Sequence, residues 1–144
     1  GKLLEFLKRK LNKSTFQYQG CDLNSSLIDY CTKNYSNKNF KFYKQSSPKG
    51  CVDFSVMSGT YNLSVTKDIQ IWEKYILKNL NNIWKRTNKI MAFNLLHHNE
   101  KKIQESLYYT DKNWIKDICE QNFGKTEIIF STILPDDILI IVKN

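Results

Sequence analysis

The sequence is poor in residues that break or cross-link a chain. Two prolines and five glycines occur in 144 residues, which excludes collagen-like and low-complexity proteins. The four cysteines form no Cys-x-x-Cys pair and have no histidine at metal-ligand spacing, so we predict no metal site and no redox motif. No apolar run approaches the roughly 18 residues that span a bilayer, and no signal-peptide cleavage pattern is present. We therefore expect a cytoplasmic protein without membrane contact.

Negative charge is also in the minority. The 22 Lys and Arg residues against 14 Asp and Glu residues give a formal net charge of +8. The densest basic cluster is only Lys8-Arg9-Lys10, and the other lysines are spread along the chain among Asn and Ile. This distribution favours a compositional bias over a dedicated nucleic-acid surface, so a nucleic-acid partner is not expected.

Helical and strand-like patterns alternate along the chain. Apolar spacing of three or four predicts helices over 2–11, from Asn24 or Ser25 through Cys31, over 66–86, and from Thr110 or Asp111 through Cys119 to a close at Gly124. Alternating or continuous apolar runs predict strands over 16–21, 40–43, 51–57, 89–96, 127–134 and 138–142. The polar segment 97–107 is predicted to be a loop, and residues 135–137 a hairpin connection. The order predicts one α/β domain, with a mostly parallel sheet and an antiparallel strand at or near one edge.

In an open parallel sheet, ligands bind at the carboxyl ends of the strands. Gly1 stands at the start of a helix, where backbone N–H groups can approach a ligand closely. Asp22 closes the next strand, where a carboxylate can accept hydrogen bonds from both hydroxyls of a ribose. The alternative for Asp22 is a helix cap before Leu23-Asn24-Ser25.

Two later segments are expected at the same edge. Ser58-Gly59 follows the third strand, leaving room for a flat ligand, and Tyr61 and Asn62 could border an acceptor pocket or belong to a plain turn. His97 and His98 follow the 89–96 strand and could act as a general base, or could simply face solvent.

The aromatic residues have two predicted roles. The side chains of Tyr108 and Tyr109 could wall an acceptor site or cover the sheet edge. Trp72, Trp84 and Trp114 lie on apolar helix faces and are predicted in the core.

These motifs together resemble those of class I S-adenosylmethionine-dependent methyltransferases. The resemblance rests on Gly1, on Tyr18-Gln19-Gly20-Cys21-Asp22, on Asp53 to Asn62, on Met91-Ala92-Phe93-Asn94-Leu95-Leu96, on Tyr108-Tyr109-Thr110-Asp111 and on the terminal hairpin. It implies a Rossmann-like, seven-stranded sheet whose last strand is antiparallel. The family's first strand and most of its glycine-rich loop would precede Gly1, so the chain is expected to be incomplete at its N-terminus.

The resemblance also implies a role for each candidate residue. Those assigned to S-adenosylmethionine are Gly1 at the end of the glycine-rich loop, Asp22 at the ribose, Leu23 beside the adenine, Gln45 and Ser46 where the family often has an adenine-binding acid, and Ser58 and Gly59 at the methionine part. Tyr61, Asn62, Asn94 and Tyr109 are the candidate acceptor-binding residues. His97 and His98 are the candidate catalytic bases.

The function expected from these residues is methyl transfer to a small-molecule or sugar-derived acceptor, at a hydroxyl oxygen. Three alternatives remain open. A nicotinamide-dependent dehydrogenase also places an acid after its second strand, a non-catalytic RNA-binding module would use the positive charge, and a methyltransferase-like scaffold would need no chemistry.

Overall fold

A computed structural model describes residues 1–11 and 16–144. Its helices are α1 (Lys2–Lys10), α2 (Ser25–Tyr35), α3 (Ile69–Trp84) and α4 (Lys112–Asn122). Its strands are β1 (Tyr18–Asp22), β2 (Phe40–Lys44), β3 (Val52–Met57), β4 (Thr87–His97), β5 (Lys102–Gln104), β6 (Leu107–Thr110), β7 (Lys125–Phe130) and β8 (Asp137–Lys143). The chain divides into two compact units, Gly1–Gly50 and Cys51–Asn144, which we describe separately as unit 1 and unit 2.

Unit 1 contains α1, β1, α2 and β2. Strands β1 and β2 pair in parallel, from Tyr18 opposite Phe40 to Asp22 opposite Lys44. Parallel neighbours need a crossover connection, and α2 supplies it. Asn24 starts this helix, because its side-chain oxygen accepts hydrogen bonds from the backbone N–H groups of Ser26 and Leu27. The helix and strand predictions for this unit are therefore confirmed.

Unit 2 contains a six-stranded mixed sheet. Its order is β5-β6-β4-β8-β7, and β3 pairs with β4 in addition. The pairs β3–β4 and β4–β6 are parallel, whereas β4–β8, β5–β6 and β7–β8 are antiparallel. The prediction of a mostly parallel sheet is therefore not borne out for this unit. The predicted α/β class and the antiparallel hairpin of the last two strands are confirmed.

Two features account for the antiparallel pairs. Strand β8 returns between β4 and β7, so one reversed strand creates two antiparallel pairs. The hairpin of β5 and β6 lies within and just beyond the segment predicted as a loop, and Glu105 and Ser106 connect its strands. Both of these residues have positive φ, +51° and +66°. Two-residue hairpin turns of this conformation usually carry Asn or Gly, and the absence of both hid the hairpin from sequence analysis.

The core of unit 2 consists of buried apolar residues from α3, α4 and the central strands. It comprises Tyr61, Trp72, Ile76, Leu80, Ile83, Met91, Phe93, Leu95, Tyr108, Ile115, Cys119, Ile138, Ile140 and Val142. Trp84 and Trp114 pack against this cluster, so all three tryptophans have the core role that their spacing predicts. In the part of the chain that is described, no helix has the length and apolar character to cross a membrane.

Each helix of unit 2 begins at a capping aspartate. Asp68 Oδ1 accepts from the Ile71 N–H at 3.0 Å, and Asp111 Oδ1 accepts from the Trp114 N–H at 2.7 Å. A carboxylate at this position satisfies a free N–H group and interacts favourably with the helix dipole. Helix α4 ends before Gly124, where a Cβ atom would collide with the backbone carbonyl of Lys143. The aspartate caps thus fix where α3 and α4 begin, and the close approach at Gly124 fixes where the chain leaves α4.

Candidate functional site

In unit 1, the carboxyl end of β1 presents an exposed carboxylate. Asp22 is the last residue of the strand, and its Oδ1 accepts a 2.8 Å hydrogen bond from the backbone N–H of Asn24. Its Oδ2 has no hydrogen-bond partner among the described residues. Because Asn24 is the residue that caps α2, the capping alternative for Asp22 does not apply. One oxygen thus orients the carboxylate and the other stays available to a ligand.

Leu23 and Gln45 lie beside each other at this edge. The register pairs Asp22 with Lys44, so the next residue of each chain segment emerges just beyond the two strands. The Leu23 side chain is exposed. Gln45 Nε2 donates to the Ser47 carbonyl. The other atom of this side-chain amide, Oε1, can therefore accept a hydrogen bond from a ligand. Ser46 is exposed beside it.

Gly1 begins α1, and a Cβ atom there would lie 2.8 Å from a ring carbon of Tyr35. The Gly1 carbonyl accepts the first helical hydrogen bond, from the Glu5 N–H at 3.0 Å. The Tyr35 hydroxyl donates to Glu5 Oε1 at 2.6 Å, and this bond to a carboxylate raises the Tyr35 pKa to about 12. The close approach that Gly1 permits is therefore filled by Tyr35 in unit 1.

In unit 2, the turn after β3 is tied to the neighbouring strand by Asn94. Gly59 has a φ of +67°, and its N–H donates a 2.6 Å hydrogen bond to Asn94 Oδ1. Asn94 Nδ2 donates to Asp137 Oδ1 at 2.7 Å. Both ends of this amide thus have protein partners, although the sequence predicts Asn94 as an acceptor-binding residue. Ser58 and Gly59 themselves are exposed.

Tyr61 and Asn62 hold the following part of the turn. The Tyr61 side chain is 2% exposed and packs edge-to-face on Phe93, while its carbonyl accepts from Trp72 Nε1 at 3.1 Å. This position in the core favours a supporting role over contact with an acceptor. Asn62 Oδ1 accepts from the Leu96 N–H at 3.3 Å, and its Nδ2 has no partner among the described residues. Of the two, Asn62 keeps a polar group free for a ligand.

The candidate bases lie at the carboxyl end of β4. His97 is half-buried, and its ring makes an edge-to-face contact with Phe130 at 5.3 Å between centroids. Neither of its ring nitrogens has a partner among the described residues. His98 is exposed, and its Nδ1 accepts from the Glu100 N–H at 3.2 Å. The basic nitrogen of His97 is therefore free among the described residues, whereas the basic nitrogen of His98 already accepts from Glu100.

Tyr109 is the remaining candidate at this edge. It is half-buried on β6, and Lys102 Nζ lies 4.9 Å from its ring centroid. Its neighbour Tyr108 is fully buried, so of this pair only Tyr109 could meet an acceptor. No cluster of three metal-ligating side chains occurs within residues 1–11 and 16–144.

Sequence reasoning missed Asp137. This residue begins β8, and its carboxylate is the partner of Asn94 on the neighbouring strand. The sequence places Asp137 in a hairpin connection, but no local signal shows that the strand after it returns beside β4. A correct prediction of strand order would have placed β8 beside β4. The register then pairs Leu96 with Asp137, which brings the aspartate close to Asn94.

Positive charge is concentrated in unit 1. Residues 1–50 contain ten Lys and Arg against three Asp and Glu, a net +7, whereas residues 51–144 contain twelve against eleven, a net +1. All four ion pairs found among the described residues lie in unit 2. The even spread of charge expected from the sequence is thus replaced by a basic unit and a nearly neutral one.

Comparison with known proteins identifies the fold. No protein-family model and no curated protein matches the chain. Among solved structures, it is similar to magnesium protoporphyrin IX methyltransferase (ChlM) from Synechocystis PCC 6803 with bound SAM, with a TM-score of 0.57 and 10% identity over 89% of this chain and 59% of that chain. It is also similar to LepI in complex with SAM, with a TM-score of 0.64 and 5% identity over 99% and 40% of the two chains.

A third similar structure is the Pnkp1/Rnl/Hen1 RNA repair complex, with a TM-score of 0.58 and 12% identity over all of this chain and 36% of that chain. The chain thus spans 36% to 59% of the length of these three structures. The likeness shows that the chain has the fold of class I S-adenosylmethionine-dependent methyltransferases.

Proposed function

We propose that the protein transfers a methyl group from S-adenosylmethionine to a hydroxyl oxygen of a small-molecule or sugar-derived acceptor. The methyltransferase fold supports the reaction class. The observation that carries the placement of the adenosyl group is Asp22, an exposed carboxylate at the end of β1 with one oxygen free for a ribose hydroxyl. Its second oxygen is held by Asn24, so the group is already oriented for binding.

The residues available in unit 1 fit an adenosyl group. Asp22 would accept hydrogen bonds from the ribose, Leu23 would contact the adenine, and the carbonyl oxygen of Gln45 would accept from its amino group, with Ser46 beside it. These oxygens are available because the Asn24 N–H bonds to Oδ1 of Asp22 and the Ser47 carbonyl accepts from Nε2 of Gln45. We assign Gly1 to the end of the glycine-rich loop, and Ser58 and Gly59 to the methionine part.

When bound, S-adenosylmethionine supplies a methyl group that its positively charged sulfur already activates. The chain then has to orient the acceptor, and orientation alone can lower such barriers by about 7–11 kcal/mol in favourable cases. We assign this work to Asn62 and Tyr109, whose side chains keep groups free at the carboxyl edge of unit 2. His97 or His98 would accept the proton of the acceptor hydroxyl, since a neutral imidazole nitrogen can act as a general base.

A nucleic-acid acceptor is the second candidate. It is favoured by the net +7 of residues 1–50 and by the absence of ion pairs among the described residues of unit 1. Unpaired lysines attract polyanions, and such binding weakens steeply with salt because counterions are released. The small-molecule acceptor remains our choice, because the basic side chains of unit 1 are spread over α1, α2 and β2 and do not form one stripe on a single element.

Isothermal titration calorimetry tests this function. We expect the protein to bind S-adenosylhomocysteine and not NAD. A preference for NAD would replace the methyltransferase by a dehydrogenase, and binding of neither would favour a non-catalytic scaffold. Titration of a single-stranded RNA at several salt concentrations then tests the second candidate, which predicts an affinity that falls steeply with salt.

A further inference from the structure

We propose that Asn94 is a positioning residue, which holds the Ser58–Thr60 turn in place through the Gly59 amide and does not contact the acceptor. Its expected effect on donor binding rests on the proposed function, because Ser58 and Gly59 are assigned there to the methionine part. The hydrogen-bond arrangement itself is independent of that assignment.

The chemistry of the partners fixes the orientation of the Asn94 amide. A backbone N–H can only donate, so the Gly59 N–H requires the amide oxygen, which lies 2.6 Å away. An ionised carboxylate can only accept, so Asp137 Oδ1 requires the amide nitrogen, which lies 2.7 Å away. Neither aspartate nor alanine at position 94 could satisfy both partners.

The turn has no other hydrogen bond to hold it. Ser58, Gly59 and Thr60 are all exposed, and nothing lies within 4 Å of the point where a Gly59 Cβ would be. Among the described residues, the bond from Gly59 to Asn94 is the only hydrogen bond that these three residues make. Glycine at positive φ is conformationally free, so a turn built on it needs an external tether to keep one position.

Asp137 gives this tether a fixed base. Its N–H donates to the Leu134 carbonyl at 2.9 Å, and its own carbonyl accepts from the Ser131 N–H at 3.0 Å. The aspartate is therefore held by the connection between β7 and β8. Through Asn94, the turn after β3 and this second connection are joined at the carboxyl end of β4.

Exchange of the glycine amides tests the tether without a ligand. The chain has five glycines, so selective ¹⁵N-glycine labelling gives few NMR signals. We expect Asn94→Ala and Asn94→Asp to speed exchange of the Gly59 amide about fivefold to tenfold, the loss of one ordinary hydrogen bond. The amides of Gly20 and Gly124 should not change. Asn88→Asp is the matched control, because it adds a carboxylate to an exposed position of the same strand.

A reversed pair provides the rescue. In Asn94→Asp, the new carboxylate faces that of Asp137 and repels it. In the double variant Asn94→Asp with Asp137→Asn, the amide at position 137 donates to the carboxylate at position 94, which still accepts from Gly59. We expect protection of the Gly59 amide to return to the wild-type value, and the proposal is overturned if the double variant behaves like Asn94→Asp or if Asn94→Ala leaves Gly59 protected.

Binding of S-adenosylhomocysteine is the second readout. We expect the dissociation constant to rise about fivefold to tenfold in Asn94→Asp and to return to the wild-type value in the double variant. The Asn88→Asp control should keep the wild-type melting temperature. If the wild-type protein does not bind this ligand, the proposed function fails while the amide exchange still decides the tether. If the ligand binds to the wild type and to Asn94→Asp with the same affinity, the positioning role is refuted.

Discussion

The hydroxyl of Tyr108 donates a 2.7 Å hydrogen bond to Oε1 of Glu73, a glutamate that is 9% exposed on the inner side of α3. Lys101 completes the group, with Nζ 2.9 Å from the same oxygen. Lys101 Nζ also lies 3.5 Å from the ring centroid of Trp114. The Glu73 carboxylate thus connects α3 with β6 and with the segment before β5, and Lys101 adds a contact to α4.

This group predicts a large effect of removing its cation. Lys101→Met leaves the Glu73 carboxylate buried with only the Tyr108 hydroxyl as partner, and breaking a buried pair in this way costs about 3 kcal/mol or more. Urea unfolding would measure the loss. The matched control is Lys116→Met, whose partner Glu120 is exposed on the same helix at 3.9 Å, so its effect should stay below about 0.5 kcal/mol.

The double variant Glu73→Gln with Lys101→Met separates charge from packing. The amide oxygen at position 73 can still accept from Tyr108, and no buried charge remains. We expect the double variant to be more stable than Lys101→Met alone. Equal losses in the two variants would show that Lys101 stabilises the protein by its cation–π contact with Trp114 and not by its ion pair with Glu73.

The buried tyrosines predict a loss of stability at alkaline pH. Burial raises the pKa of both Tyr61 and Tyr108 above the ordinary value of 10. The folded state therefore keeps these protons where the unfolded chain releases them, so stability is fully present below about pH 10 and falls above it. Phenolate absorbance during an alkaline titration should show these two groups ionising only as the protein unfolds, and Tyr108→Phe should make the alkaline loss less steep.

The sequence predicts the elements better than their arrangement. Asn24 and Asp111 are correct helix starts because capping depends on neighbours two or three residues away. Strand order is different, since the Asn94–Asp137 bond joins residues 43 positions apart and depends on where β8 inserts. The candidate site divides in the same way. Asp22 is predicted from its place at the end of a strand, whereas the proposed tether role of Asn94 follows only from strand order.

A buried hydroxyl pair connects β3 to the end of α3. Thr87 Oγ1 donates to the Ile83 carbonyl at 2.9 Å, so its single proton is used, and Ser55 Oγ must donate to Thr87 Oγ1 across their 2.7 Å contact. Thr87→Val leaves the buried Ser55 hydroxyl without its acceptor, while the Ile83 carbonyl keeps the Arg86 N–H as a partner, and the change should cost about 1–3 kcal/mol. Ser55→Ala removes only the terminal donor and should cost less in the same urea experiment. The reverse order would contradict this direction of donation.

The Asp22 carboxylate is the most direct test of cofactor binding. Asp22→Asn preserves the shape and one oxygen for the Asn24 N–H, but it replaces the free oxygen with an amide nitrogen, which cannot accept a hydrogen bond from a ribose. We expect the binding free energy of S-adenosylhomocysteine, measured by calorimetry, to weaken by about 1–3 kcal/mol. Asp29→Asn is the matched control, because it removes the same charge from an exposed position on α2. Equal weakening in both variants would indicate that net charge, and not the free oxygen of Asp22, governs binding.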